Sequence, residues 1–177
     1  MSTLTIVLSV IAILIIGVLV VAATRPDAFS MQRSTSMRAP AERIFPLIND
    51  LRAHESWSPF DKPDPATTKV HSGAAQGQGA LYEWTGKGQA GSGRIAITES
   101  HPFSRIVMQL DMLKPIRASN TVVFSLEPRP DATLVTWAMH GAVPYPAKIL
   151  HLFFNMDRMV GKEFETGLAN LKAIVER

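Results

Sequence analysis

Few side chains in this sequence have the type and spacing for catalysis, and each has a plainer reading. Gly86-Lys87-Gly88-Gln89-Ala90-Gly91 matches G-x-G-x-x-G. A dinucleotide fingerprint needs a strand before it and a helix after it, so that the pyrophosphate meets the helix N-terminus. Here Ser92 to Glu99 continues in a strand pattern, which makes the glycines a flexible hairpin or a bulged strand. His54, His71, His101, His140 and His151 are the five histidines, and no two stand at i, i+4. A metal site therefore has no local support, and none is assigned. No G-x-S-x-G elbow is present, and Ser92 between two glycines makes a poor nucleophile. For acid–base work the candidates are Asp61 and Asp64 in a Pro-rich loop, with Tyr82 placed inside. A buried tyrosine hydroxyl can hydrogen-bond a ligand carbonyl, although it more commonly completes a hydrogen bond of the core. No catalytic residue and no cofactor is assigned.

The stronger signal is aromatic and sulfur-rich. Trp57, Tyr82, Trp84, Met108, Phe124, Trp137, Met139, Phe153 and Met156 fall on faces that periodicity turns inward, and Met112 and Met159 join them. Methionine adapts to irregular apolar shapes, and tryptophan and tyrosine add a flat face with a polar tip. For any one of them an ordinary packed core is the plainer explanation. Collectively the first nine are the candidate lining of a pocket for a small apolar ligand.

The elements that must position them follow from period. Phe29 to Met37 reads as a first strand. Ala39-Pro40-Ala41-Glu42 opens a helix with an apolar stripe at Ile44, Phe45, Leu47, Ile48 and Leu51; Pro46 kinks it, and a second short helix precedes Trp57. Ser58 to Pro65 holds three prolines in eight residues and is a loop. The period then changes to two. Thr67 to His71 and the alternating runs around Tyr82, Ile95, Met108, Phe124 and Trp137 make a six-stranded antiparallel meander, or seven strands with the first. From Ala147 onward, Ile149, Phe153, Met156, Val160, Phe164, Leu168, Leu171 and Val175 recur every three or four residues, which predicts one amphipathic helix of about 28 residues. Its stripe must be buried on the concave face of the meander. The predicted fold class is α+β, a helix-grip fold with a seven-stranded antiparallel sheet wrapped around a long C-terminal helix.

Ahead of this domain, Leu4 to Ala23 is a run of twenty residues with no charge, and every Lys, Arg, Asp and Glu lies after it. At about 1.5 Å per residue such a helix crosses the roughly 30 Å hydrocarbon core of a bilayer. The run is too long and lacks the basic n-region of a signal peptide; Val21-Ala22-Ala23 leaves cleavage as the alternative. The expected organisation is a transmembrane anchor over residues 1–25 and a helix-grip domain over 26–177. Arg25, Arg33, Arg38 and Arg43 follow the run while nothing basic precedes it, which places the domain in the cytoplasm of a single-pass membrane protein.

Composition narrows the partners. The 18 basic residues against 15 acidic ones are spread along the chain, without the clustering of a nucleic-acid footprint, so no nucleic-acid partner is expected. The absence of cysteine removes disulfides, thiolate metal sites and a cysteine nucleophile. Nothing in the sequence assigns an oligomeric state.

The order of elements, with Ala39-Pro40-Ala41-Glu42-Arg43-Ile44-Phe45, Trp57-Ser58-Pro59, Gly79-Ala80-Leu81-Tyr82-Glu83-Trp84, Thr136-Trp137-Ala138-Met139 and Gly167-Leu168-Ala169-Asn170-Leu171-Lys172, resembles the polyketide cyclase/dehydrase-like branch of the START/Bet v 1 (SRPBCC) superfamily. The resemblance spans about residues 30–177. It implies a cavity between sheet and long helix that holds an apolar ligand such as a lipid, an isoprenoid or a polyketide-like compound. It brings no invariant catalytic motif to these positions. A cyclase or dehydratase using a tyrosine and a loop aspartate is the alternative, and a non-binding interaction module is a third.

Overall fold

The alternation of apolar and polar residues sets which way each strand faces, and the sheet follows from it. The computed structural model of the chain describes residues 2–62, 65–86, 91–153 and 155–177. Helix α1 (Thr3–Ala23) is followed by β1 (Ala28–Met37), α2 (Ala41–Asn49) and two 3₁₀ turns, Ala53–Ser56 and Pro59–Asp61. Then come β2 (Thr67–Gly73), β3 (Ala80–Gly86), β4 (Ser92–His101), β5 (Arg105–Lys114), β6 (Ala118–Arg129) and β7 (Ala132–Ala142). Two helices, α3 (Tyr145–Phe153) and α4 (Met156–Val175), complete the chain.

The seven strands form one antiparallel sheet in the order β1-β7-β6-β5-β4-β3-β2. Consecutive hairpins build β2 to β7, and β1 adds itself to β7 with Ala28 opposite Ala142 and Met37 opposite Thr133. One face of β6 buries Asn120, Val122, Phe124 and Leu126, and the matching face of β7 buries Thr133, Val135, Trp137 and Met139. Against this concave side lies α4, burying Phe164, Leu168, Leu171 and Val175. The fold is the α+β helix-grip arrangement expected from the sequence.

Helix α4 is held along β1 by charge as well as by its apolar stripe. The Arg33 guanidinium bonds Glu165 at 2.8 Å and both Asp157 carboxylate oxygens at 3.2–3.3 Å. At the far end the Lys172 ammonium donates to the Ser36 carbonyl, and the Arg38 backbone N–H to the Glu176 carboxylate. Helix α2 and the 3₁₀ turns close the sheet's other end. There Ile44 and Ile48 are buried, the Trp57 indole N–H donates to the Leu47 carbonyl, and the Asn170 amide donates to the Trp57 carbonyl.

One predicted element is corrected. The single C-terminal helix of about 28 residues is two helices. The first ends at Phe153, and Asn155, with ψ at 89°, starts the second, its side-chain oxygen accepting the Arg158 N–H to cap α4. An Asn side chain competing for backbone donors starts a helix better than it continues one. Phe153 and Met156, expected one turn apart on a common face, therefore belong to different helices.

Ahead of the sheet, α1 is long and apolar enough to cross a membrane, and nearly all of its side chains are exposed. Its far end is not free. The Tyr145 hydroxyl on α3 donates to the Leu19 carbonyl at 2.7 Å, and the Lys148 ammonium donates to the Arg25 carbonyl and pairs with Asp27.

Candidate functional site

The inward-facing aromatics meet in one cluster at the middle of the sheet. The Trp137 ring stacks on Phe164 with centroids 4.2 Å apart and planes 7° from parallel. Trp57 and Phe124 approach the same indole at 5.5 and 4.9 Å, and Phe60 closes from the loop at 6.0 Å. Gly167 makes the stack possible, since a Cβ there would stand 2.7 Å from the Trp137 ring. Met108 is fully buried on β5, while Tyr82 and Trp84 lie further out on β3, Tyr82 buried and Trp84 half-buried. Of the nine sequence candidates, Trp57, Phe124 and Trp137 are brought together in contact.

The open space lies elsewhere, at the end of the sheet where β1 begins and β7 ends. A cavity of about 700 Å³ is bounded by Phe29 and Met31 of β1, Asn120 of β6, Met139 of β7, Ala147, Leu150 and Phe153 of α3, and Val160 of α4. This size falls within the range of about 300–1,000 Å³ usual for small-molecule sites. Two of the sequence candidates, Met139 and Phe153, line it. Phe153 lines it with its side chain exposed, and Met159 is exposed as well, where periodicity turns both inward. The side chain of Met156 lies outside the described residues, as do Asp64 and Lys87 to Ala90 of the glycine motif.

The cavity wall is mostly apolar, and its polar residues are Ser30, Arg117, Asn120, Asn155 and Asp157. Asn120 is one of them, 8% exposed on the concave face, and its Oδ1 is buried without a hydrogen-bond partner. An amide carries a donor and an acceptor, and a half-turn of its last torsion exchanges their positions. Burying an unpaired amide costs free energy that a ligand's polar group can recover. The Trp137 indole N–H, two residues from Met139 along β7, is likewise buried and unpartnered.

Asp61 and Tyr82 do come together, but away from this cavity. Burial, and then the Asp61 carboxylate to which it hydrogen-bonds, raise the Tyr82 phenol above its usual pKa. The buried His54 ring bonds the Ile48 carbonyl through Nε2 at 2.8 Å, while its Nδ1 stands 3.9 Å from Asp61. Burial holds its pKa below the usual histidine value despite that carboxylate. Lys69 completes the group, donating to Glu55 and to the Asp61 carbonyl. None of these side chains lines the cavity.

Gly86 and Gly91 of the glycine motif sit on a hairpin: β3 ends at Gly86 and β4 begins at Ser92. Gly91 has φ +59° and lies against the Lys114 carbonyl, where a Cβ would come within 2.2 Å. Its glycine is required by this turn and close approach, and a strand, not a helix, follows it. Among the described residues no group of three His, Asp or Glu side chains could hold a metal ion.

Residues 28–176 match the model of the polyketide cyclase / dehydrase and lipid transport family. The chain belongs to this family. No curated protein matches it significantly. Solved structures share the fold at low identity. Protein MLL2253 from Mesorhizobium loti is 13% identical with a TM-score of 0.61, over 84% of this chain and 98% of that one. Mll3558 from Rhizobium loti is 21% identical with a TM-score of 0.57, over 82% and 96%. DynU16, a putative protein in the dynemicin biosynthetic locus, is 15% identical with a TM-score of 0.59, over 86% of this chain and 48% of that one.

Within the family fold, sequence reasoning did not select Met31, Asn120, Ala147 or Val160 as lining residues. For Asn120 a signal was present, a lone amide at the inward parity of an otherwise apolar strand. Ala147 carried none, because its place on the wall depends on how α3 folds back over the start of β1.

Proposed function

We propose that residues 26–177 form a binding domain for a small apolar ligand, held in the cavity between the end of the sheet and helices α3 and α4, and that residues 1–25 tether it to a membrane. The supporting observation is the roughly 700 Å³ apolar cavity in a chain of this family. Met31, Met139, Leu150 and Phe153 supply adaptable apolar walls, and among the polar lining residues Asn120 offers a buried amide oxygen without a partner. That combination suits an amphiphile with a lipid-like or isoprenoid body and a neutral hydroxyl or carbonyl. Burial contributes about 2.5 kcal/mol per ~100 Å² of apolar ligand surface, from which the cost of association is subtracted. Trp57, Phe124 and Trp137 act on this reading as the packed floor beneath the site. Because Asp61 and Tyr82 stand outside the cavity, binding is preferred to a cyclase or dehydratase reaction.

Ala147 projects from α3 into the cavity wall, so Ala147→Trp should occupy the space from the helix side. Displacement of a fluorescent fatty-acid probe tests the reading. The native protein should bind the probe and release it to competing apolar molecules, and Ala147→Trp should lose most of that binding with its thermal midpoint retained. Equal probe binding by both proteins would reject the cavity as the site.

A further inference from the structure

Asn120 stands directly opposite Gly141 in the β6–β7 ladder, on the concave face. A Cβ on Gly141 would come within 2.2 Å of the Asn120 Oδ1, so the glycine leaves a recess in β7 that the amide occupies. Two residues to either side of Gly141 are Met139 and Val143, both buried and both lining the cavity. Of the polar residues in the described wall, Ser30, Arg117, Asn155 and Asp157 are exposed, and Asn120 alone is buried. Its unpartnered oxygen costs the fold stability that a leucine of the same shape would not cost. A local rule broken in a cavity wall, with no compensating contact, marks a functional position.

The orphaned atom also specifies its partner. Oδ1 is an acceptor, so the partner must be a donor. An ether, a ketone or an ester only accepts, and an ammonium would bring a charge that burial penalises. A hydroxyl is a neutral donor. Because it also accepts, it matches the amide after the half-turn that exchanges its oxygen and nitrogen. We infer that Asn120 is the specificity-determining residue of the cavity and selects an apolar alcohol, whose hydroxyl bonds the amide while its hydrocarbon body lies against Met31 and Met139. This inference rests on the binding-domain reading above.

1-Dodecanol and dodecyl methyl ether carry the same chain and differ in the donor. Each is titrated against a fluorescent fatty-acid probe on the full-length native protein, on Asn120→Leu and on Gly141→Ala. Partition of the two compounds into detergent is common to all three proteins and cancels in the comparison. The ratio of alcohol to ether affinity should fall about tenfold in Asn120→Leu, the effect of one buried hydrogen bond left unmade. Gly141→Ala, which pushes the amide aside without removing it, should lower the ratio in the same direction. Without ligand, Asn120→Leu should unfold at a higher urea midpoint than the native chain, because the unpaired amide is gone. A ratio unchanged in both variants would overturn the selection of a hydroxyl and leave the cavity standing as the site. A lower midpoint in Asn120→Leu with that unchanged ratio would assign the amide to packing. Failure of the native chain to bind the probe, or of both compounds to displace it, would overturn the binding-domain reading and this inference with it.

Discussion

At the scale of single residues, Trp137 bears most directly on whether the middle of the sheet is a floor or a pocket. Its ring is stacked on Phe164 and enclosed by Trp57 and Phe124. Trp137→Ala should therefore cost the full amount for a packed aromatic, about 3–5 kcal/mol in denaturant unfolding. A much smaller loss would mean that the ring already borders open space. Gly167→Ala tests the same stack from the helix side. An exposed helix would gain about 1 kcal/mol from this change, but here the new methyl meets the Trp137 ring at 2.7 Å, and overpacking costs about 1–3 kcal/mol. The net effect should be a lower urea midpoint, and a higher one would show that the indole shifts freely. His54 makes stability depend on pH. Its native pKa is lowered by burial, so below about pH 6.5 the unfolded chain takes up a proton that the folded one refuses. Stability should be full above that pH and fall as the pH drops toward the lowered native value. His54→Gln, which can still donate to Ile48, should flatten the thermal-midpoint profile over that window, and an unchanged slope would assign the dependence to other groups.

Among the elements, α3 depends most on a neighbour outside the sheet. Deleting residues 1–25 removes the Leu19 and Arg25 carbonyls that Tyr145 and Lys148 bind, while the core between sheet and α4 keeps every contact. The truncated chain should fold and stay soluble, with faster amide exchange in α3 and unchanged protection in β5 to β7 and α4. Aggregation with native-like secondary structure, or loss of protection throughout, would contradict a separable anchor. The strands were legible because period-two alternation is a local signal: Phe124 and Trp137 face inward as their parity requires. The break at Asn155 was not, because the apolar residues on either side keep helical spacing across it and only the cap geometry reveals the stop. The cavity was equally hidden. Parity showed that Trp137 and Met139 share a face, but whether space there is filled depends on Phe164 and Gly167 arriving from α4, and on α3 folding over β1. Those are long-range volumes, and no local pattern encodes them.

For the whole molecule, the proposed tether takes a direction from the arginines that follow α1. A reporter fused after Arg177 should behave as cytoplasmic, and activity of an export-dependent reporter there would reverse the orientation. On the proposed function, α1, its ties to α3 and the cavity belong to a binding domain held close to where apolar molecules partition. On that function the roughly 700 Å³ cavity holds such a molecule. The most direct measurement is native mass spectrometry of the full-length protein released from detergent, beside Ala147→Trp. A discrete added mass of one apolar molecule per chain, extractable into organic solvent and absent from the variant, is the predicted result. A bare protein mass throughout, or the same added mass on both proteins, would contradict it.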